Sequence, residues 1–127
     1  MTPPPVLLLV EDEVLLQELL DTELAAAGFE LVIVNDGAQA FAMLDADAAR
    51  FKAVITDIRL GSGPDGWDVG RRACELVPDM SVIYLSGDSA HDWASKGVPK
   101  SLMIAKPFAS AQLITAVSTL ITAADIH

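Results

Sequence analysis

Short apolar runs alternate along this chain with longer stretches whose apolar residues recur at helical spacing. Val6 to Val10, Leu31 to Val34, Ala53 to Thr56, Ser81 to Leu85 and Leu102 to Ala105 are short and mostly apolar, which predicts strands buried on both faces of a sheet. Between the first two runs, Leu16, Leu19, Leu20 and Leu24 lie on one helical face, and Gly28 closes that helix. Ala38 to Asp47 predicts a second helix, with Ala40, Phe41 and Leu44 turned inward. Trp67 to Val77 predicts a third, stopped by Pro78, and Ser110 to Ala123 a last one carrying Leu113, Val117 and Leu120. The segment from Ser89 to Ser95 predicts only a shortened, irregular fourth helix, because Gly97 and Pro99 interrupt it. Met1 to Pro5 holds three prolines in a row and reads as a disordered extended tail; residues 124–127 read as a C-terminal tail.

Strand followed by helix, five times over with short connections, predicts one α/β domain over residues 6–123. Its sheet should be parallel, doubly wound and flavodoxin-like, with strand order 2-1-3-4-5. That order sets strands one and three side by side. In such sheets ligands bind at the carboxyl ends of the strands.

The strand ends carry the chemistry. Strand one runs into Glu11, Asp12 and Glu13, strand three into Asp57, strand four into Ser86, and strand five into Lys106. Three carboxylates in one pocket repel, and a divalent cation relieves that repulsion. All-oxygen donors suit Mg²⁺, and no His or Cys is placed for zinc. A carboxylate beside such a metal can act as nucleophile toward a phosphoryl group. The Lys106 ammonium and the Ser86 hydroxyl can then hold phosphoryl oxygens. Each residue also has a duller role: the acids can charge a helix start, which is preferred for Glu13, Asp57 can cap a turn, Ser86-Gly87 can be a turn, and Lys106 can be solvated. Their convergence on one sheet edge favours the joint reading.

Composition narrows the classes. Net charge is −10, which disfavours direct binding to nucleic acid or anionic lipid. No apolar run approaches a membrane span, and the start lacks the pattern of a signal peptide. A single Cys74 excludes an internal disulfide, and a cytoplasmic location is expected.

Five motifs, in order, resemble the receiver domain of two-component response regulators: Val6 to Glu13, Val54 to Leu60, Asp65-Gly66-Trp67, Leu85-Ser86-Gly87 and Lys106-Pro107-Phe108. The likeness covers residues 6–122. It implies a phosphoacceptor, Asp57, that takes a phosphoryl group from a phosphohistidine on a histidine kinase or phosphotransfer protein. It implies Mg²⁺ held by Asp12, Asp57 and the backbone carbonyl of Arg59, with Glu11 acting through water. Ser86 takes the switch position, Lys106 contacts the phosphoryl group, and the Lys106-Pro107 bond is often cis in such domains.

The chain also departs from the pattern. Met103 stands where receivers carry Tyr or Phe, three residues before the lysine. The stretch 89–101 holds Trp93, Gly97 and Pro99 in place of a regular helix, and Trp93 is either a contact residue or simple packing. Arg59 and Asp88 occupy positions that modulate phosphate lifetime in receivers; with opposite signs, they are expected to pair across the pocket mouth and slow hydrolysis. The sequence is expected to be a single-domain response regulator, monomer or weak dimer, signalling to an unknown output protein by contact and modifying only itself. A phosphorylation-independent, degenerate receiver is the alternative. A dehalogenase-type phosphatase would need an acid where Arg59 stands, and a flavodoxin-like cofactor site would not begin with acids.

Overall fold

The computed structural model describes residues 3–88 and 90–125. Expectations for residues 1, 2, 89, 126 and 127 fall outside it. Five parallel strands, β1 (Val6–Val10), β2 (Glu30–Val34), β3 (Ala53–Asp57), β4 (Ser81–Ser86) and β5 (Ser101–Ala105), form one sheet in the order β2-β1-β3-β4-β5. The helices are α1 (Val14–Ala26), α2 (Gly37–Asp47), α3 (Gly66–Leu76), α4 (Trp93–Lys96) and α5 (Ser110–Asp125). A 3₁₀ turn, Ala48–Arg50, follows α2, and another, Ala90–Asp92, leads into α4. The sheet is flavodoxin-like, as the strand-helix alternation predicts.

Alternate residues of each strand enter opposite layers. Leu7, Leu9, Ile55, Ile83 and Leu85 pack with Leu20 and Leu24 of α1 and Leu113 and Val117 of α5. Leu8, Val10, Val54, Val82 and Tyr84 pack with Ala40 and Leu44 of α2 and Trp67, Val69 and Ala73 of α3. Both faces are covered, so the strands read as continuous apolar runs. Each such Leu or Ile contributes roughly 1.5–3 kcal/mol on burial.

Local chemistry sets the helix starts. Asp36 caps α2 by accepting the Gln39 N–H at 2.8 Å. Asp65 and Asp68 form a reciprocal capping box at the start of α3. α4 is a single turn with no side-chain cap and no buried residue, which Gly97 ends. Most strand and helix ends shift by a residue from the sequence pattern, as in β2 starting at Glu30 and α3 running from Gly66 to Leu76; α5 continues past Ala123 to Asp125, α4 is confined to Trp93–Lys96, and α1 starts at Val14. Val14 and Leu15 are exposed, so apolar periodicity could not mark that first turn.

Gly66 opens α3 directly against the end of β3, donating its N–H to the Ile58 carbonyl at 2.8 Å. A Cβ there would lie 2.2 Å from the Asp57 carbonyl oxygen and 2.7 Å from the Ile58 Cα, both backbone. No flexible side chain can yield. Gly66→Ala is therefore expected to lower stability by about 1–3 kcal/mol, read as a lower urea midpoint at unchanged slope; an unshifted midpoint would mean that β3 moves freely.

Candidate functional site

Sheet register brings the polar strand ends to one edge. Val10 lies beside Thr56, Asp57 beside Leu85, and Ser86 beside Ala105. Glu11, Asp57, Ser86 and Lys106 therefore emerge together. Glu11 is fully buried. Its Oε2 accepts the Glu13 N–H at 3.0 Å, and its Oε1 accepts from the Lys106 Nζ at 2.9 Å. The same ammonium donates to Asp57 Oδ2 at 3.1 Å. Asp12 is exposed, yet one carboxylate oxygen from each of Glu11, Asp12 and Asp57 lies within 4.8 Å of the others. Glu13 holds the N-cap position of α1 with no side-chain cap bond; its backbone N–H, rather than its charge, takes part in the site.

Burial and charge oppose each other here. Burial raises the Glu11 and Asp57 pKa values above their ordinary range, although Lys106 pulls both down. Burial alone would lower the Lys106 pKa, but its two carboxylate partners outweigh it and the net shift is upward. The ammonium is thus firmly charged, while the carboxyls remain short of compensation. The donor set is oxygen only, carboxylate and close-spaced, which fits a hard cation such as Mg²⁺.

Ser86 is nearly buried at the end of β4, and its Oγ accepts the Asp88 N–H at 3.2 Å. Asp57, Arg59, Ser86, Asp88 and Lys106 line one cavity of about 340 Å³. At its mouth Arg59 engages Asp88 through two bonds, Nε to Oδ1 at 2.9 Å and Nη2 to Oδ2 at 2.8 Å. Both side chains are largely exposed. The Lys106-Pro107 peptide is cis. Met103 is half-buried on β5, directly beside Tyr84.

Gln17 and Asn35 belong to the site and are not evident from the sequence. Gln17 Nε2 donates to the Glu11 carbonyl and, at 2.7 Å, to Asn35 Oδ1. Both amide hydrogens are thereby used. The Glu11 N–H meanwhile donates to the Val34 carbonyl at 3.1 Å. The backbone under the acid pair is clamped from both sides. One hint was available, since Gln17 falls one turn into the helix that follows the acids.

The family model described as the response regulator receiver domain matches residues 7–118. A crystal structure of a response regulator receiver protein from Sinorhizobium medicae WSM419 is 48% identical, with a TM-score of 0.90 over 94% of this chain and 96% of that one. The response regulator receiver protein CpdR of Brucella abortus is 28% identical over 93% of this chain and 98% of its own length. The C4-dicarboxylate transport transcriptional regulatory protein DctD of Rhizobium meliloti is 32% identical over 90% of this chain, which spans only 25% of DctD.

Because burial raises the Asp57 pKa, ionising this carboxyl costs the folded state more than the unfolded chain. The stability it contributes is complete below its ordinary value of 3.8 and is lost as pH rises through the folded value. Asp57→Asn should therefore unfold at higher urea than the parent at neutral pH, with the gap closing as pH falls toward 3.8. Urea midpoints across that range check this, and a gap independent of pH contradicts it.

Proposed function

The chain belongs to the response regulator receiver domain family, and from that premise we propose that Asp57 accepts a phosphoryl group from a phosphohistidine on a histidine kinase or phosphotransfer protein. The observation that supports this most is the single Lys106 ammonium held between Glu11 and Asp57. As an Asp57 oxygen bonds to phosphorus, the phosphorus–nitrogen bond breaks and the imidazole keeps its electron pair. Lys106 compensates charge on the phosphoryl oxygens, and the Ser86 hydroxyl turns to donate to one of them. Mg²⁺ would be held by Asp12, Asp57 and the Arg59 backbone carbonyl, with Glu11 acting through water; it supplies positive charge against which phosphoryl and carboxylate oxygens can approach. Gln17 and Asn35 keep the Glu11-Asp12 turn in place.

Chemistry is confined to the chain's own carboxylate. Arg59, two residues beyond Asp57, is a cation where turnover of free phosphate esters would want a general acid. A large donor must reach Asp57 across the rim, and the exposed Val14, Leu15 and Leu19 of α1 offer it apolar contact. Beside them, Leu16, Pro107 and Phe108 line a recess of about 350 Å³ that also contains Lys106. Output passes to another protein by contact, in the cytoplasm. Among the described residues no helix is long and apolar enough to cross a membrane.

Incubation with Mg²⁺ and acetyl phosphate, read by intact mass, should add one phosphoryl group to the parent and none to Asp57→Ala. Lys106→Met should slow labelling roughly 100- to 1,000-fold. Labelling that persists in Asp57→Ala overturns the assignment. The Arg59–Asp88 pair is expected to slow hydrolysis by shielding the pocket mouth. Arg59→Ala and Asp88→Ala should each shorten the phosphate lifetime by about twofold to fivefold, the reach of an exposed ion pair; unchanged lifetimes would leave the pair without that role.

A further inference from the structure

The first 49 residues hold ten acidic residues and no Lys, Arg or His, so the whole net charge of −10 lies in the part of the chain that ends with α2. The Glu11-Asp12 turn stands inside that stretch. Its sequence neighbours offer no counter-charge, and the cation that reaches Glu11 comes from the end of β5. Like charges at this spacing push apart. The start of α1 does little to resist them: Glu13 makes no side-chain cap bond, and Val14 and Leu15 are exposed. An uncharged group must hold the turn.

Gln17 is placed to do so. Its backbone N–H donates to the Glu13 carbonyl at 3.0 Å, which seats it in the first turn of α1. Its half-buried side chain folds back across that turn to donate to the Glu11 carbonyl. The second amide hydrogen goes to Asn35 Oδ1 at 2.7 Å. Asn35 is held in turn, since its N–H donates to Gln39 Oε1 at 2.8 Å. The Gln39 N–H donates to Asp36 Oδ1, the cap of α2, also at 2.8 Å. Three amide side chains thus run from the capped start of α2, past the end of β2, to the carbonyl beneath the acid pair. An amide suits this position for a reason of charge. A lysine could donate to the same carbonyl, but its ammonium would neutralise acids whose excess draws a dication. A glutamate has no proton to donate.

We propose that Gln17 is a positioning residue for the metal-binding acids: aimed by Asn35 and Gln39, its amide holds the Glu11-Asp12 turn in place while adding no charge of its own. The carboxylate oxygens of Glu11, Asp12 and Asp57 are thereby kept within 4.8 Å of one another against their repulsion. The inference rests on the Mg²⁺-dependent phosphoacceptor reading above.

The test titrates Mg²⁺ into the parent and variants, following the backbone amides of Glu11 and Asp12 by NMR. Hydrogen exchange of the Glu13 amide is measured in the metal-free chains; this N–H reports the turn because it bonds to Glu11 Oε2. Gln17→Met keeps the length and loses both donors. It should weaken Mg²⁺ binding about tenfold and quicken Glu13 exchange about tenfold. Its labelling by acetyl phosphate should be slow at low Mg²⁺ and gain as Mg²⁺ is raised, the pattern of lost metal affinity rather than lost chemistry. Asn35→Ala leaves the bond to the Glu11 carbonyl, so its loss of affinity should be about twofold to threefold. Gln17→Lys should keep the Glu13 amide protected yet bind Mg²⁺ more weakly than the parent. Parent-like Mg²⁺ affinity in Gln17→Met overturns the proposal, even with a lowered urea midpoint, because Gln17 would then serve stability alone. Parent-like affinity in Gln17→Lys overturns it too, because neutrality would then not matter. Either result, in a parent that binds Mg²⁺ and takes label, leaves the phosphoacceptor reading intact. A parent that binds no Mg²⁺ and takes no label overturns that reading, and this inference with it.

Discussion

One ammonium shared by two carboxylates is the constraint around which this edge of the molecule is arranged. Lys106 Nζ reaches Glu11 at 2.9 Å and Asp57 at 3.1 Å, from the far side of a five-stranded sheet. Taking charges out of water is costly, and attraction repays that cost only when the geometry is good. Here the repayment is incomplete for the acids, whose pKa values stay raised by burial, and complete for the lysine. Three clustered carboxylates against one ammonium leave negative charge in excess. A site in that condition is receptive to a small dication. An ordinary salt bridge, with one partner each, would not be.

The fold supplies what the charges cannot. Strand order β2-β1-β3-β4-β5 puts β1 beside β3, so Glu11 and Asp57 meet although they stand 46 positions apart in the chain. Lys106 then arrives from β5, two strands away from β3, and only its long stem lets it bridge to both. The clamp of Gln17 on the Glu11 carbonyl matters for the same reason: a turn holding repelling acids would otherwise relax outward. Gly66, pressed on the Asp57 carbonyl, fixes the other side. Backbone, rather than side-chain contact alone, sets where the charges stand.

Much of this was legible in the residues. Continuous apolar runs announced strands buried on both faces, and polar groups after four of them announced an edge with chemistry. The opposite signs of Arg59 and Asp88 anticipated a contact that the structure contains. What stayed hidden was long-range and polar. Glu11 and Asp12 were both expected in the pocket, but nothing local says how deep each lies: Glu11 is fully buried and Asp12 is exposed. Gln17 and Asn35 are ordinary surface types whose pairing depends on how α1 and the end of β2 approach. Tyr84 looked like one more strand hydrophobe; its hydroxyl finds Val98 only because Gly70 makes room and the β4–β5 crossover folds back over it.

The direct test of the shared ammonium is to follow the side-chain carboxyl carbons of Glu11 and Asp57 by NMR as pH is varied, in the parent and in Lys106→Met. If Lys106 holds both acids down against their burial, both should bind protons at higher pH in the variant. Unchanged titration of Glu11 and Asp57 would show that the ammonium does not govern them, and the account of this edge would fail.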